Sequence, residues 1–165
     1  MPVFDRTFAG FIYSQPTQGL IQRFKFHGDL AAGRLLSTRL AEELQHSIRE
    51  WPECMLPVPL HWLRQWRRGF NQAELIARDV AHALALEYQN VLKRTRATQS
   101  QSELPARQRA GNVRGAFSLR SVDQLPSHVA LVDDVMTTGT TLNECARVLK
   151  NSGVERVDVW VVARA

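Results

Sequence analysis

The chain has 165 residues, 44% hydrophobic and 22% charged, with a net charge of +5 and a sequence pI near 9.9. That length suits one domain, 1–165, and that composition excludes intrinsic disorder and fibrous structure. No run of about 18 apolar residues spans a membrane, the start MPVFDRTFAG lacks the basic opening of a secretory signal, and Cys54 and Cys145 stand alone, outside any CxxC zinc or redox pair.

Taken in chain order, Leu20, Ile21 and Phe24 share one face of a short amphipathic helical turn over 18–26, which His27-Gly28-Asp29 interrupts. Residues 1–30 are expected to form a small N-terminal hood. Leu35, Leu36, Leu40, Leu44 and Ile48 recur at helical spacing from Leu30 to about Arg49, ahead of Trp51-Pro52. Met55–Leu60 reads as a short buried strand that Pro57 and Pro59 fray into a loop. A strong amphipathic helix follows over 71–86, with Asn71 as its N-cap. Val91-Leu92 is expected as a brief strand and 94–115 as a long mobile loop. Val129–Val132 reads as a buried strand, Thr140–Lys150 as a helix closed by Ser152-Gly153, and Val157–Ala163 as a last strand. This alternation predicts an α/β fold with a mostly parallel sheet. Ligands in such sheets bind beyond the carboxyl ends of the strands, here after Leu60, Leu92 and Val132.

Charge is unevenly spread. Residues 61–120 hold eleven basic and four acidic side chains, a net of +7, whereas 121–165 carry a net of −2. A basic middle third suits a polyanion, either a phosphorylated small molecule or a nucleic acid. Scattered solvated arginines would give the same count.

Residues 129–141, VALVDDVMTTGTT, run from an apolar strand into two carboxylates, then a hydroxyl- and glycine-rich turn, then a helix. Backbone N–H groups and hydroxyls of Thr137, Thr138, Gly139, Thr140 and Thr141 can converge on one phosphate at the positive helix end. Gly139 permits close backbone approach. Asp133 and Asp134 lie where the ribose of such a phosphoester would fall, and carboxylates suit vicinal hydroxyls. A lone acid pair could equally be a metal site or an N-cap, and a lone TTGTT an ordinary N-cap turn. Their register after one strand favours the combined reading.

This segment resembles the phosphoribosyl-pyrophosphate (PRPP) motif of type I phosphoribosyltransferases. The resemblance implies that Asp133 and Asp134 are catalytic, both holding the ribose hydroxyls and one of them helping to stabilise the developing cation, while Thr137 to Thr141 bind the 5′-phosphate. The stretches PVPLHWLRQWRRGFNQ (57–72) and FKFHGD (24–29) resemble the ComF family. So do Arg94, Arg96, Thr98, Gln101, Leu104, Arg107, Arg109, Asn112 and Gly115-Ala116-Phe117. The resemblance covers roughly 12–164 and implies a bacterial phosphoribosyltransferase-fold protein associated with competence and DNA uptake. Members commonly begin with a cysteine-rich zinc ribbon, and no such segment stands in this sequence.

Further roles follow from the resemblance as expectations. Arg67, Arg68, Arg94, Arg96, Arg107 and Arg109 would face pyrophosphate, with 94–112 closing over PRPP. Magnesium would arrive with PRPP rather than on protein ligands, and the protein would work in the cytoplasm. Two functions remain open. One is magnesium-dependent transfer of a phosphoribosyl group to an unidentified nitrogenous acceptor. The other is a non-catalytic module for single-stranded DNA or sensing that keeps the PRPP pocket and meets competence-machinery proteins. Trp62, Trp66 and Phe70 among Arg64, Arg67 and Arg68 suit base stacking and phosphate contact. They suit an apolar helix face with solvated arginines equally well.

Overall fold

In the computed structural model, which describes residues 2–96, 113–121 and 124–165, the apolar runs around Leu131 and Val159 are the central strands of a parallel sheet. The strands are β1 (Arg6–Ile12), β2 (Cys54–Pro57), β3 (Glu87–Tyr88), β4 (Leu92–Arg94), β5 (Phe117–Leu119), β6 (His128–Met136) and β7 (Arg156–Arg164). The helices are α1 (Thr17–His27), α2 (Leu30–Ser47), α3 (Trp62–Arg68), α4 (Gln72–Leu84) and α5 (Thr140–Asn151). Five strands form the main sheet in the order β1-β7-β6-β2-β3, every neighbouring pair parallel, while β4 and β5 form a separate antiparallel pair.

The strand period of two divides the core. On β6, Val129 and Leu131 face one way, packing with Leu142, Cys145 and Leu149 of α5. Ala130 and Val132 face the other way, with Leu40 and Leu44 of α2 and Ile76 and Val80 of α4. Helices therefore cover both faces, which explains why these strands read as unbroken apolar runs.

Several expected boundaries move. The strand expected to stop at Val132 continues through both acids to Met136, because β7 offers backbone partners along its whole length, pairing Asp133 with Val161 and Val135 with Ala163. The segment 57–72, expected as a loop or an apolar helix face, contains α3, capped by the His61 ring nitrogen, which accepts from the Leu63 N–H at 3.3 Å. Residues 1–30 divide in two. Arg6–Ile12 forms an edge strand of the main sheet, and Thr17–His27 forms a wall beside the strand ends. Most of the expected 94–115 loop lies outside the described residues.

The stretch FKFHGD has a local structural explanation. Gly28, at φ +64°, ends α1 in the left-handed conformation, and the Asp29 carboxylate accepts the Ala32 N–H at 3.0 Å to cap α2. Phe24 stacks on Phe70 with centroids 5.4 Å apart and lies against Gly33, where no side chain would fit. This packing seats α1 beside the carboxyl ends of β2 and β6.

Candidate functional site

Two helix N-termini and two strand ends meet in one cleft of about 750 Å³. Gly139, at φ +70°, turns the chain from β6 into α5, and the Asn143 N–H returns to the Gly139 carbonyl at 2.8 Å. The hydroxyls of Thr138 and Thr140 lie 2.7 Å apart and line the cleft together with Thr137 and Thr141. Across from them α4 begins at Asn71, which is buried. Its side chain accepts from the Ala73 N–H and donates to the Val58 carbonyl at 3.1 Å, locking the helix start to the end of β2. Exposed amide hydrogens and the positive ends of both helix dipoles make this a cleft suited to anions.

At its floor lie the two acids. Asp133 accepts the Asp134 N–H at 2.8 Å, and Asp134 accepts the Val135 N–H at 2.8 Å. Burial, followed by the neighbouring Asp134 charge, pushes the Asp133 carboxyl up to about 7. Asp134 is nearly buried and pairs with the Lys25 ammonium, Nζ to Oδ2 3.1 Å. The two carboxylates, Asp134 foremost, raise the Lys25 ammonium above the ordinary lysine value. The site therefore holds paired acids and a lysine below a rim of amides, hydroxyls and arginines.

The sequence-derived residues fall into groups. Asp133, Asp134, Thr137, Thr138, Gly139, Thr140, Thr141, Arg68 and Arg94 all border the cleft. Arg68 lies over the Phe26 ring at 5.5 Å and donates to Gln72 Oε1 at 3.2 Å. Arg94 lies over Phe117 at 5.2 Å, so the β4–β5 pair delivers it. Arg96 does not line the cleft; its guanidinium donates to the Arg114 carbonyl at 2.9 Å. Arg67 belongs to the last turn of α3, but its side chain, like Arg107 and Arg109, lies outside the described residues. Sequence reasoning missed Lys25, Tyr13, Gln22 and Asn71 as cleft residues. Only Asn71 carried a local signal, as a helix cap, and that signal says nothing about a ligand.

Both cysteines are buried and free, and burial raises each thiol, Cys54 to about 12, so neither is a reactive thiolate at neutral pH.

The model of the phosphoribosyl transferase domain family matches residues 67–165, from the end of α3 through α4, the acid pair, α5 and β7. The chain is 42% identical over 160 residues to Competence protein F of Haemophilus influenzae, covering 93% of this chain and 70% of that protein. The chain belongs to the ComF family of phosphoribosyl transferase domains. Other ComF relatives agree. DNA utilization protein YhgH of Escherichia coli K12 is 37% identical, over 92% of this chain and 69% of its own length. Competence protein ComFC of Streptococcus pneumoniae is 30% identical, over 94% and 67%. The fold is that of type I phosphoribosyltransferases. An adenine phosphoribosyl transferase from Trypanosoma brucei superposes with a TM-score of 0.51 at 11% identity, over 84% of this chain and 66% of that one. Within this ComF chain, the cleft-lining residues from Arg68 onward fall inside the matched domain, while those of α1, Tyr13 and Val58–Leu60 just after β2 precede it.

Proposed function

We propose that this ComF protein binds PRPP in the cleft and transfers its phosphoribosyl group to a nitrogen nucleophile, in the cytoplasm and in the service of DNA uptake. One observation carries the reading: a single cleft joins paired carboxylates at the end of β6 to a hydroxyl- and glycine-rich turn at the start of α5. A phosphate with an attached neutral diol satisfies both halves, whereas a bare anion would be repelled by the acids.

In this reading Thr137 to Thr141 hold the 5′-phosphate through hydroxyls and backbone N–H groups. Asp133 and Asp134 accept hydrogen bonds from the ribose hydroxyls and face the positive charge that develops at C1. Arg68 and Arg94 face the leaving pyrophosphate, with Arg67, Arg107 and Arg109 assigned to the same side by resemblance, whereas Arg96 lies off the cleft. The bond from C1 to the pyrophosphate oxygen breaks and its electron pair leaves with pyrophosphate. A bond from nitrogen to C1 forms, and the nitrogen gives up its proton to the departing pyrophosphate or to water.

Among the described residues no group of three or more His, Cys, Asp or Glu side chains could hold a metal. Two carboxylates alone would not make a protein magnesium site, and an ion arriving with PRPP would meet Asp133 and Asp134. When bound, that ion neutralises charge on the pyrophosphate. Among the described residues no helix is long and apolar enough to cross a membrane.

Pyrophosphate release from PRPP, measured with ammonia and with nucleobases as acceptors, tests the transfer. Acceptor-stimulated, magnesium-dependent release that falls at least about 100-fold in Asp134→Ala supports it, a loss of about 2.7 kcal/mol in transition-state stabilisation. Equal release in wild type and variant contradicts it.

A second reading, binding without catalysis, rests on α3. Trp66 there is 81% exposed and Leu63 is 41% exposed, within the basic third of the chain. An exposed tryptophan in a basic segment suits single-stranded DNA, by stacking and phosphate contact. Affinity for an oligonucleotide should then fall steeply with salt, and an affinity unchanged from 50 to 200 mM salt excludes phosphate-driven binding.

A further inference from the structure

Lys25 is the one cleft cation whose ammonium meets a carboxylate of the acid pair in the described structure. Its backbone is fixed: the Gln72 side chain donates to the Lys25 carbonyl at 3.4 Å, and Phe24 beside it is stacked and buried. Its side chain is a flexible four-carbon stem, 29% exposed, carrying a compact charge with three donors. The charged and titratable groups that share the cleft are Asp133 and Asp134 on β6, Arg68 ending α3, Arg94 on β4 and Tyr13 after β1. Arg68 lies close enough for its charge to oppose that of Lys25.

The expected ligand alters the balance around this lysine. Ribose hydroxyls donate to the acids but bring no charge, and the pyrophosphate group brings several negative charges to the arginine side. An ammonium opposite the acids is then better matched by pyrophosphate than by carboxylates already satisfied by hydroxyl donors. We propose that Lys25 is a built-in counterion that changes partners: it pairs with Asp134 when the cleft is empty and with the pyrophosphate group of the sugar ligand when the cleft is filled. The role rests on the PRPP reading above. It makes Lys25 a selectivity residue for pyrophosphorylated over simply phosphorylated ribose.

Ribose 5-phosphate is the informative comparison, because it carries the 5′-phosphate and the hydroxyls but no pyrophosphate. Lys25→Met keeps the stem and removes the charge. By calorimetry, Lys25→Met is expected to weaken PRPP–magnesium about 10- to 30-fold while moving ribose 5-phosphate affinity by less than about 3-fold. Lys25→Arg should recover most of the PRPP affinity. Thermal melts check folding, and Lys25→Gln serves where Lys25→Met does not fold. Equal losses for both ligands show that the lysine only shapes the site, and no loss for either shows that it stays with Asp134; both results overturn the proposal and leave the PRPP reading intact. A wild-type protein that binds neither ligand overturns the reading and this role together.

Discussion

Asp133 shows what burying one acid beside another costs the empty fold. Its carboxyl is held up to about 7 against an ordinary 3.8, by burial first and by Asp134 second. The native state therefore keeps a proton that the unfolded chain sheds near pH 4. Stability from this group is fully present below pH 3.8 and is lost as pH rises toward and through 7. Asp133→Asn removes that dependence while its amide oxygen can still accept the Asp134 N–H. The melting temperature of the variant minus that of wild type should rise between pH 4.5 and 8, by roughly 10 °C for a chain of this size. A difference that stays flat across scanning-fluorimetry melts at those pH values would show that the acid pair carries no such strain. The acid pair and the threonine turn were legible because strand, acids, small residues and helix stand consecutively in the chain. Lys25 stood inside the FKFHGD stretch, but nothing local gave it a role at the site, because its partner lies on a strand more than a hundred residues away.

At the scale of elements, the site depends on the seating of α1. A Cβ at Gly33 would lie 2.6 Å from the Phe24 ring, which is 1% exposed and stacked on Phe70, so neither side can yield easily. Gly33→Ala should cost about 1–3 kcal/mol by overpacking. It should also weaken PRPP binding by shifting Lys25, and Phe24→Leu in the same chain should restore part of both. Calorimetry and thermal melts of the single and double variants measure this; additive losses would contradict a steric origin. Periodicity revealed α2, α4 and α5 because their buried faces recur every three to four residues. It ended β6 too early because consecutive acids resemble a loop, although their backbone continues the ladder with β7. It missed β1, whose residues are only partly covered at the sheet edge, and β3, which has two residues. Such elements form because neighbouring strands supply partners, which is tertiary information.

For the whole molecule, the parallel sheet gathers the carboxyl ends of β2 and β6 at the starts of α4 and α5, and most site residues follow from that topology. The net charge of +5 divides accordingly. Arg68 and Arg94 from the basic third join the cleft beside the acids of the weakly negative last third, while α3 leaves Trp66 on the surface. In the proposed reading, part of the high pI belongs to the cleft, and the basic surface around Trp66 is what a nucleic-acid strand would meet. If the cleft takes PRPP through its acid pair, isothermal titration of PRPP with magnesium into the wild-type protein, and into the double variant Asp133→Ala with Asp134→Ala, separates the two. Saturable one-to-one binding by the wild type and a loss of at least about 50-fold, some 2.3 kcal/mol, in the variant are expected. No saturable heat from the wild type, or equal affinity in the double variant, would contradict PRPP binding through the acid pair.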